Sequence, residues 1–229
     1  MKRLILGIIL FFQFMQHIIA GDIANFVNLG FSNNARYFMF AQYGIEEKYS
    51  TPYAELYVVN VPLNTFAANG KKELRSEKSV EPGDNGIGAL FALLDANHEL
   101  TKQYAVNHLS RGRILYLLID GEKPRDVLQF RDFNTDKKYT VTLVQKATGS
   151  GKELKSSFYI DAVIARAEGK EISLKIGSPN YQRAGVKNYR IRQIIVAPDE
   201  KSLVFLIEKE EKDTDGVNIR YMVETAKTE

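Results

Sequence analysis

One pattern occurs twice, near the two ends of the chain, and it limits the fold more than any other feature. Phe31-Ser32-Asn33-Asn34-Ala35-Arg36-Tyr37-Phe38-Met39-Phe40 leads, after a polar insert, to Tyr53-Ala54-Glu55-Leu56-Tyr57-Val58-Val59-Asn60. Val196-Ala197-Pro198-Asp199-Glu200-Lys201-Ser202-Leu203-Val204-Phe205 leads to Gly216-Val217-Asn218-Ile219-Arg220-Tyr221-Met222-Val223. Both read as turn, strand, polar loop, strand. Ser, Asn, Pro and Asp bend a chain by fixing φ or by bonding their own backbone. The aromatic and β-branched runs suit a pleated, half-buried surface. An isolated hairpin is marginal in water, so units at 26–66 and 190–226 are expected to pack together in one β-rich domain covering 21–229, with Phe40 and Phe205 both buried.

Locally these units resemble the blade repeat of TolB-type β-propellers, where an F-S-P-D-G-R-Y strand precedes an E-L-Y-V-V-D strand. Here Asn33-Asn34-Ala35 stands in place of Pro-Asp-Gly. A propeller needs at least about four blades, and two copies cannot close one. The expected architecture is mainly β, a β-sandwich or incomplete propeller-like sheets, with one amphipathic helix packed on it.

The chain between the units changes character. Residues 69–85 are polar. Then Ile87, Leu90, Phe91 and Leu94 fall at i, i+3, i+4 and i+7, one face of a helix near 85–97 capped by Asp84 or Asn85. From Arg113 the period becomes two. Arg113 to Asp120 is nearly all apolar and reads as a central strand. Tyr139, Val141 and Leu143 share a face, as do Phe158, Ile160, Ala162 and Ile164. With Glu168-Gly169 as the turn, 156–177 reads as a hairpin.

Residues 1–20 fix the compartment. Lys2 and Arg3 precede Leu4–Met15, apolar but for Gln13, and a small-residue exit follows at Ala20-Gly21. That order is a secretory signal peptide with a cut after Ala20. A cut after Ala24 would place Asp22 at the minus-three position. The apolar run is shorter than the roughly 18 residues an ordinary membrane-spanning helix requires, and no later stretch qualifies. Cysteine is absent, which excludes disulfides, thiolate metal sites, cysteine nucleophiles and lipid attachment by the bacterial lipoprotein route. A periplasmic or secreted location is expected.

Removing residues 1–20 takes two of the 31 basic residues, leaving 29 against 28 acidic ones. A formal net of +1 gives no field to steer a polyanion, so nucleic acid is not an expected partner. Only His98 and His108 lie beyond residue 20, too few for a three-histidine zinc site. Neither a metal nor a cofactor is expected.

The layout as a whole resembles a bacterial family of predicted secreted proteins with no assigned function. The resemblance rests on Ala20 through Ser32, then Arg36-Tyr37-Phe38-Met39-Phe40, Gln42-Tyr43-Gly44, Gly88-Ala89-Leu90-Phe91-Ala92-Leu93-Leu94 and Arg113-Ile114-Leu115-Tyr116-Leu117. It implies export and carries no catalytic residues with it.

Candidate sites are few. Tyr43, Tyr49 and Tyr53 flank one loop and can stack on a ligand ring. His108, Arg111 and Arg113 form one basic cluster, and Tyr189, Arg190 and Arg192 another; of these, His108, Arg111, Arg190 and Arg192 are candidates for binding a carboxylate or phosphate. Gly149-Ser150-Gly151-Lys152 lacks the first Gly and the final Ser or Thr of a phosphate loop. Asp95, His98 and Glu99 fall on one helix, and Asp120, Glu122, Asp126 and Asp132 around one loop, without the spacing of a known metal motif. No nucleophile, base and orienting group recur at motif spacing. The expected role is therefore non-catalytic: binding, scaffolding or envelope association, with an envelope component or another exported protein as partner. The competing expectation is a hydrolase of an envelope polymer using Asp120 and Asp126, since glycoside cleavage needs only two placed carboxylates.

Overall fold

The computed structural model describes residues 21–46, 48–166, 169–213 and 216–228; the expected signal peptide and Glu168 lie outside them. Antiparallel sheets dominate, and two short helices cover one of them. The helix-side sheet has the order β4-β3-β2-β1-β5, from β1 (Asn25–Ser32), β2 (Tyr37–Glu46), β3 (Thr51–Asn60), β4 (Thr65–Arg75) and β5 (Val106–Asn107). The central sheet runs β14-β13-β12-β6, from β6 (Arg113–Leu117), β12 (Val186–Val196), β13 (Ser202–Asp213) and β14 (Gly216–Lys227). The outer sheet runs β10-β9-β8-β7, from β7 (Val127–Arg131), β8 (Lys138–Thr148), β9 (Lys155–Ala165) and β10 (Glu171–Ile176), with β11 (Arg183–Ala184) pairing β9.

Period-two alternation sorts the side chains into layers. In β2, Met39, Ala41 and Tyr43 face the helices, while Phe38 and Phe40 face the central sheet. In β13, Val204 faces the helix-side sheet, while Leu203, Phe205 and Ile207 face the outer sheet. The central sheet is thus covered on both faces, and the order is helices, helix-side sheet, central sheet, outer sheet. The two end units meet through Phe38, Phe40 and Val59 on one side and Ile195, Ala197 and Val204 on the other. Phe40 and Phe205 are both buried, but on opposite sides of the central sheet.

Helix α1 (Ile87–Ala96) forms where its period places it, but on a rotated face. Ala89, Leu90 and Leu93 are buried, while Phe91 is 61% exposed. The N-cap is Gly86, at φ +76°, not Asp84 or Asn85. A Cβ there would meet the Gly44 carbonyl oxygen at 2.5 Å. The backbone presses against the end of β2 at that point. Asp84 and Asn85 instead accept from the Gly86 and Ile87 amides. Helix α2 (His98–Gln103) follows directly.

Strand β6 also departs from expectation. It is an edge strand paired to β12, and Ile114, Leu117 and Ile119 are exposed. A continuous apolar run can arise in an edge strand as well as in a central one, so periodicity alone does not separate them.

Candidate functional site

A cleft of about 1120 Å³ opens between the helix-side sheet and the β13–β14 edge of the central sheet. Phe40, Tyr57, Phe66 and Tyr221 line it, and Phe26 links Tyr221 to Phe40 in one row of rings: Tyr221 lies 5.8 Å from Phe26, Phe26 5.7 Å from Phe40, Phe40 4.9 Å from Tyr57, and Tyr57 5.5 Å from Phe66, between centroids. Phe40 and Tyr57 are cross-strand partners in β2 and β3, so alternation along the pleat aligns them. At the far end the Lys71 ammonium sits 3.9 Å from the Phe66 centroid, a cation–π contact. Phe66 is 45% exposed.

The polar residues along this row are largely satisfied by one another. Glu55 Oε2 accepts from Gln42 Nε2 and from the Tyr57 hydroxyl, each at 2.7 Å. Arg75 lies 3.5 Å from Glu55 Oε1. Gln42 Oε1 accepts from the Tyr221 amide at 2.7 Å, stitching one sheet to the next. Burial raises the Tyr57 phenol, and the Glu55 charge raises it further. At the other end, Asp22 accepts from Arg220 Nη2 at 2.6 Å and from the Tyr53 hydroxyl at 3.3 Å. Burial raises Tyr53 as well, the Arg220 charge opposes this, and the Asp22 charge adds to it. Both phenols therefore stay protonated at any ordinary pH. Lys209 and Glu211 pair at 2.5 Å.

Six basic side chains line the cleft against four acidic ones. Asp22, Glu55 and Glu211 already accept from neighbours in the wall. Lys71 has no carboxylate partner among the described residues. Arg183, under Phe158, Tyr181 and Tyr189, faces Glu224 at 3.7 Å, and its Nη1 makes no hydrogen bond among the described residues.

The tyrosines chosen from the sequence divide between environments. Tyr49 lines the cleft and is 57% exposed. Tyr53 is buried beneath Arg220, whose guanidinium lies 4.7 Å from its ring centroid. Tyr43 points to the opposite face of the sheet and packs in the core beneath α1.

The four basic candidates form two separate pairs. His108 Nδ1 donates to the Leu29 carbonyl at 2.6 Å, and Arg111 Nε donates to the His108 carbonyl at 3.2 Å; both are exposed. Arg190 is closed by Glu208 and Glu210, and Arg192 by Asp120 at 2.5 Å. Asp132 accepts two bonds from Arg113, and His98 and Glu99 pair on exposed α2. Asp120 is thereby engaged by Arg192. Among the described residues no group of three metal-binding side chains converges, and no helix is long and apolar enough to cross a membrane.

Sequence reasoning missed most of the cleft. Phe66 and Lys71 lie on β4 and Arg220 on β14, and only the packing of one sheet on another brings them together. The legible signal was the alternation of Phe38-Phe40-Gln42 and Tyr53-Glu55-Tyr57, which places aromatic and polar residues on one face.

Layered antiparallel sheets with an aromatic-floored, cation-rimmed cleft between two of them define a β-sheet protein with a ligand-sized interlayer groove. The family model of predicted secreted proteins designated DUF2259 matches residues 39–227, and the chain belongs to that family. A comparison with curated proteins finds no match.

Proposed function

We propose that this protein is a non-catalytic, extracytoplasmic binding protein whose cleft takes an acidic saccharide of the cell envelope. The observation that carries the reading is the end of the aromatic row. Lys71, without a carboxylate partner among the described residues, sits on exposed Phe66 beside a wall whose acids are mostly engaged. Ring faces pack on the C–H face of a sugar, and an unspent ammonium donates to its carboxylate. The volume, about 1120 Å³, lies just above the usual span of small-molecule sites, about 300–1,000 Å³. The blade-like ends fit the same reading, since each supplies one wall. Family membership supports export, and the envelope is then where a ligand would be met.

The test is a thermal shift with trigalacturonate and with neutral maltotriose. At a hundredfold excess over Kd a one-site ligand adds about 2.7 kcal/mol of stability. Trigalacturonate is expected to raise the melting temperature, and maltotriose to raise it far less. Lys71→Ala and Phe66→Ala are expected to abolish most of that difference. Equal shifts with both sugars, or none with either, would overturn the reading.

A further inference from the structure

The first described residues are built into the cleft. Gly21 and Asp22 both line it. The segment continues as a short parallel addition to the edge of β14. Ile219 N donates to the Asp22 carbonyl at 2.8 Å, and Ala24 N to the Ile219 carbonyl at 3.0 Å. Asp22 N donates to Asn218 Oδ1 at 2.9 Å, and the Asp22 carboxylate meets Arg220. Asp22 is 6% exposed and Ala24 2%. At residue 21 the chain passes so close to β14 that a Cβ would fall 1.6 Å from the Val217 carbonyl oxygen. Only glycine fits there.

These contacts bear on where the leader is cut. A cut after Ala24 would remove a buried carboxylate, its Arg220 partner contact and both parallel bonds. A cut after Ala20 keeps all of them. It also frees an amine on Gly21, a residue of the cleft wall.

We propose that removal of residues 1–20 completes the binding site, with the Gly21 α-ammonium as a fixed cation that helps hold the acidic group of the ligand. This rests on the acidic-saccharide reading of the cleft. Before the cut the same nitrogen is an uncharged amide. Processing therefore adds a charge at Gly21, and the chain without that charge is the weaker binder.

The experiment uses exported, processed protein. Its N-terminal sequence is expected to begin Gly21-Asp22-Ile23, and a start elsewhere overturns the proposal. At about pH 6.5 the α-amine, with an ordinary pKa of about 7.7–8.0, is modified in preference to lysine at about 10.4. One sample is acetylated, which removes the charge. A second is reductively dimethylated, which keeps the charge and adds similar bulk. Each is titrated with trigalacturonate. Loss of one charge-assisted contact is expected to weaken binding about tenfold in the acetylated form. The dimethylated form is expected to stay within about twofold of the free amine. Unchanged affinity after acetylation, or equal loss in both samples, overturns the ammonium's role while leaving the saccharide reading in place. Failure of the free-amine protein to bind trigalacturonate removes that reading and this proposal with it.

Discussion

Arg220 Nη2 reaches the Asp22 carboxylate at 2.6 Å across 198 positions of sequence. Arg220 Nη1 also donates to the Asp22 carbonyl at 3.1 Å, and the guanidinium covers the Tyr53 ring. One pair thus joins the N-terminal segment, the last strand and the helix-side sheet. Its side chains are 6% and 14% exposed, so the charges depend on each other rather than on water.

Breaking that pair should therefore be costly. Removing one partner of a buried ion pair typically costs about 3–5 kcal/mol because the other charge is stranded. Arg220→Ala is expected to fall in that range by urea denaturation with an unchanged m-value. A loss under about 1 kcal/mol would show that water enters the site and screens the pair.

Phe205→Ala and Phe40→Ala are each expected to cost about 3–5 kcal/mol, the usual range for emptying a phenylalanine site in a core. The two rings belong to different clusters, one on each side of the central sheet. Their effects should add within about 0.5 kcal/mol in the double variant. A large coupling would mean that the layers share one cooperative core rather than two.

Truncation after Ser178 removes β12, β13 and β14, three of the four central strands. Both flanking sheets then lose the surface they pack on. The remaining chain should lack near-ultraviolet circular dichroism and show no cooperative thermal transition. A sharp transition in the fragment would refute the layered dependence.

Acid stability should carry the signature of Asp132. Burial raises its carboxyl, but hydrogen bonds from Arg113, Thr135 and the Asn134 amide outweigh this and lower it from 3.8 to about 2. A carboxyl whose folded pKa is depressed contributes stability above its unfolded value and loses it as pH falls through the folded one. The loss should run from about pH 4 down to about pH 2, the interval set by those two values. Asp132→Asn should lower stability at neutral pH and flatten that part of the profile. An unaltered slope in urea titrations between those pH values would contradict the assignment.

Much of the fold was legible because it depends on local periodicity. The alternations in Tyr139–Leu143 and Phe158–Ile164 appear as β8 and β9, and their inward residues form one cluster. The Leu90-centred helix was legible for the same reason. Its rotation was not, because the face it buries is the one that packs against Met39, Ala41, Ala54 and Leu56, a tertiary contact. The edge position of β6 was hidden too, since Ile114 and Leu117 look apolar whether or not a neighbour covers them.

The candidate site divides along the same line. Tyr49 was found because loop aromatics stand out in a sequence. Tyr43 and Tyr53 lie close in sequence, but their strands send them to opposite faces of one sheet. Export, the absence of thiol chemistry and a β-rich composition follow from the sequence alone, because they depend on residue type and short-range order. The aromatic row from Tyr221 to Phe66, the unspent Lys71 and the pairing of Asp22 with Arg220 exist only in the tertiary structure. They join residues far apart in the chain, and only the stacking of one sheet on another fixes which side chains meet.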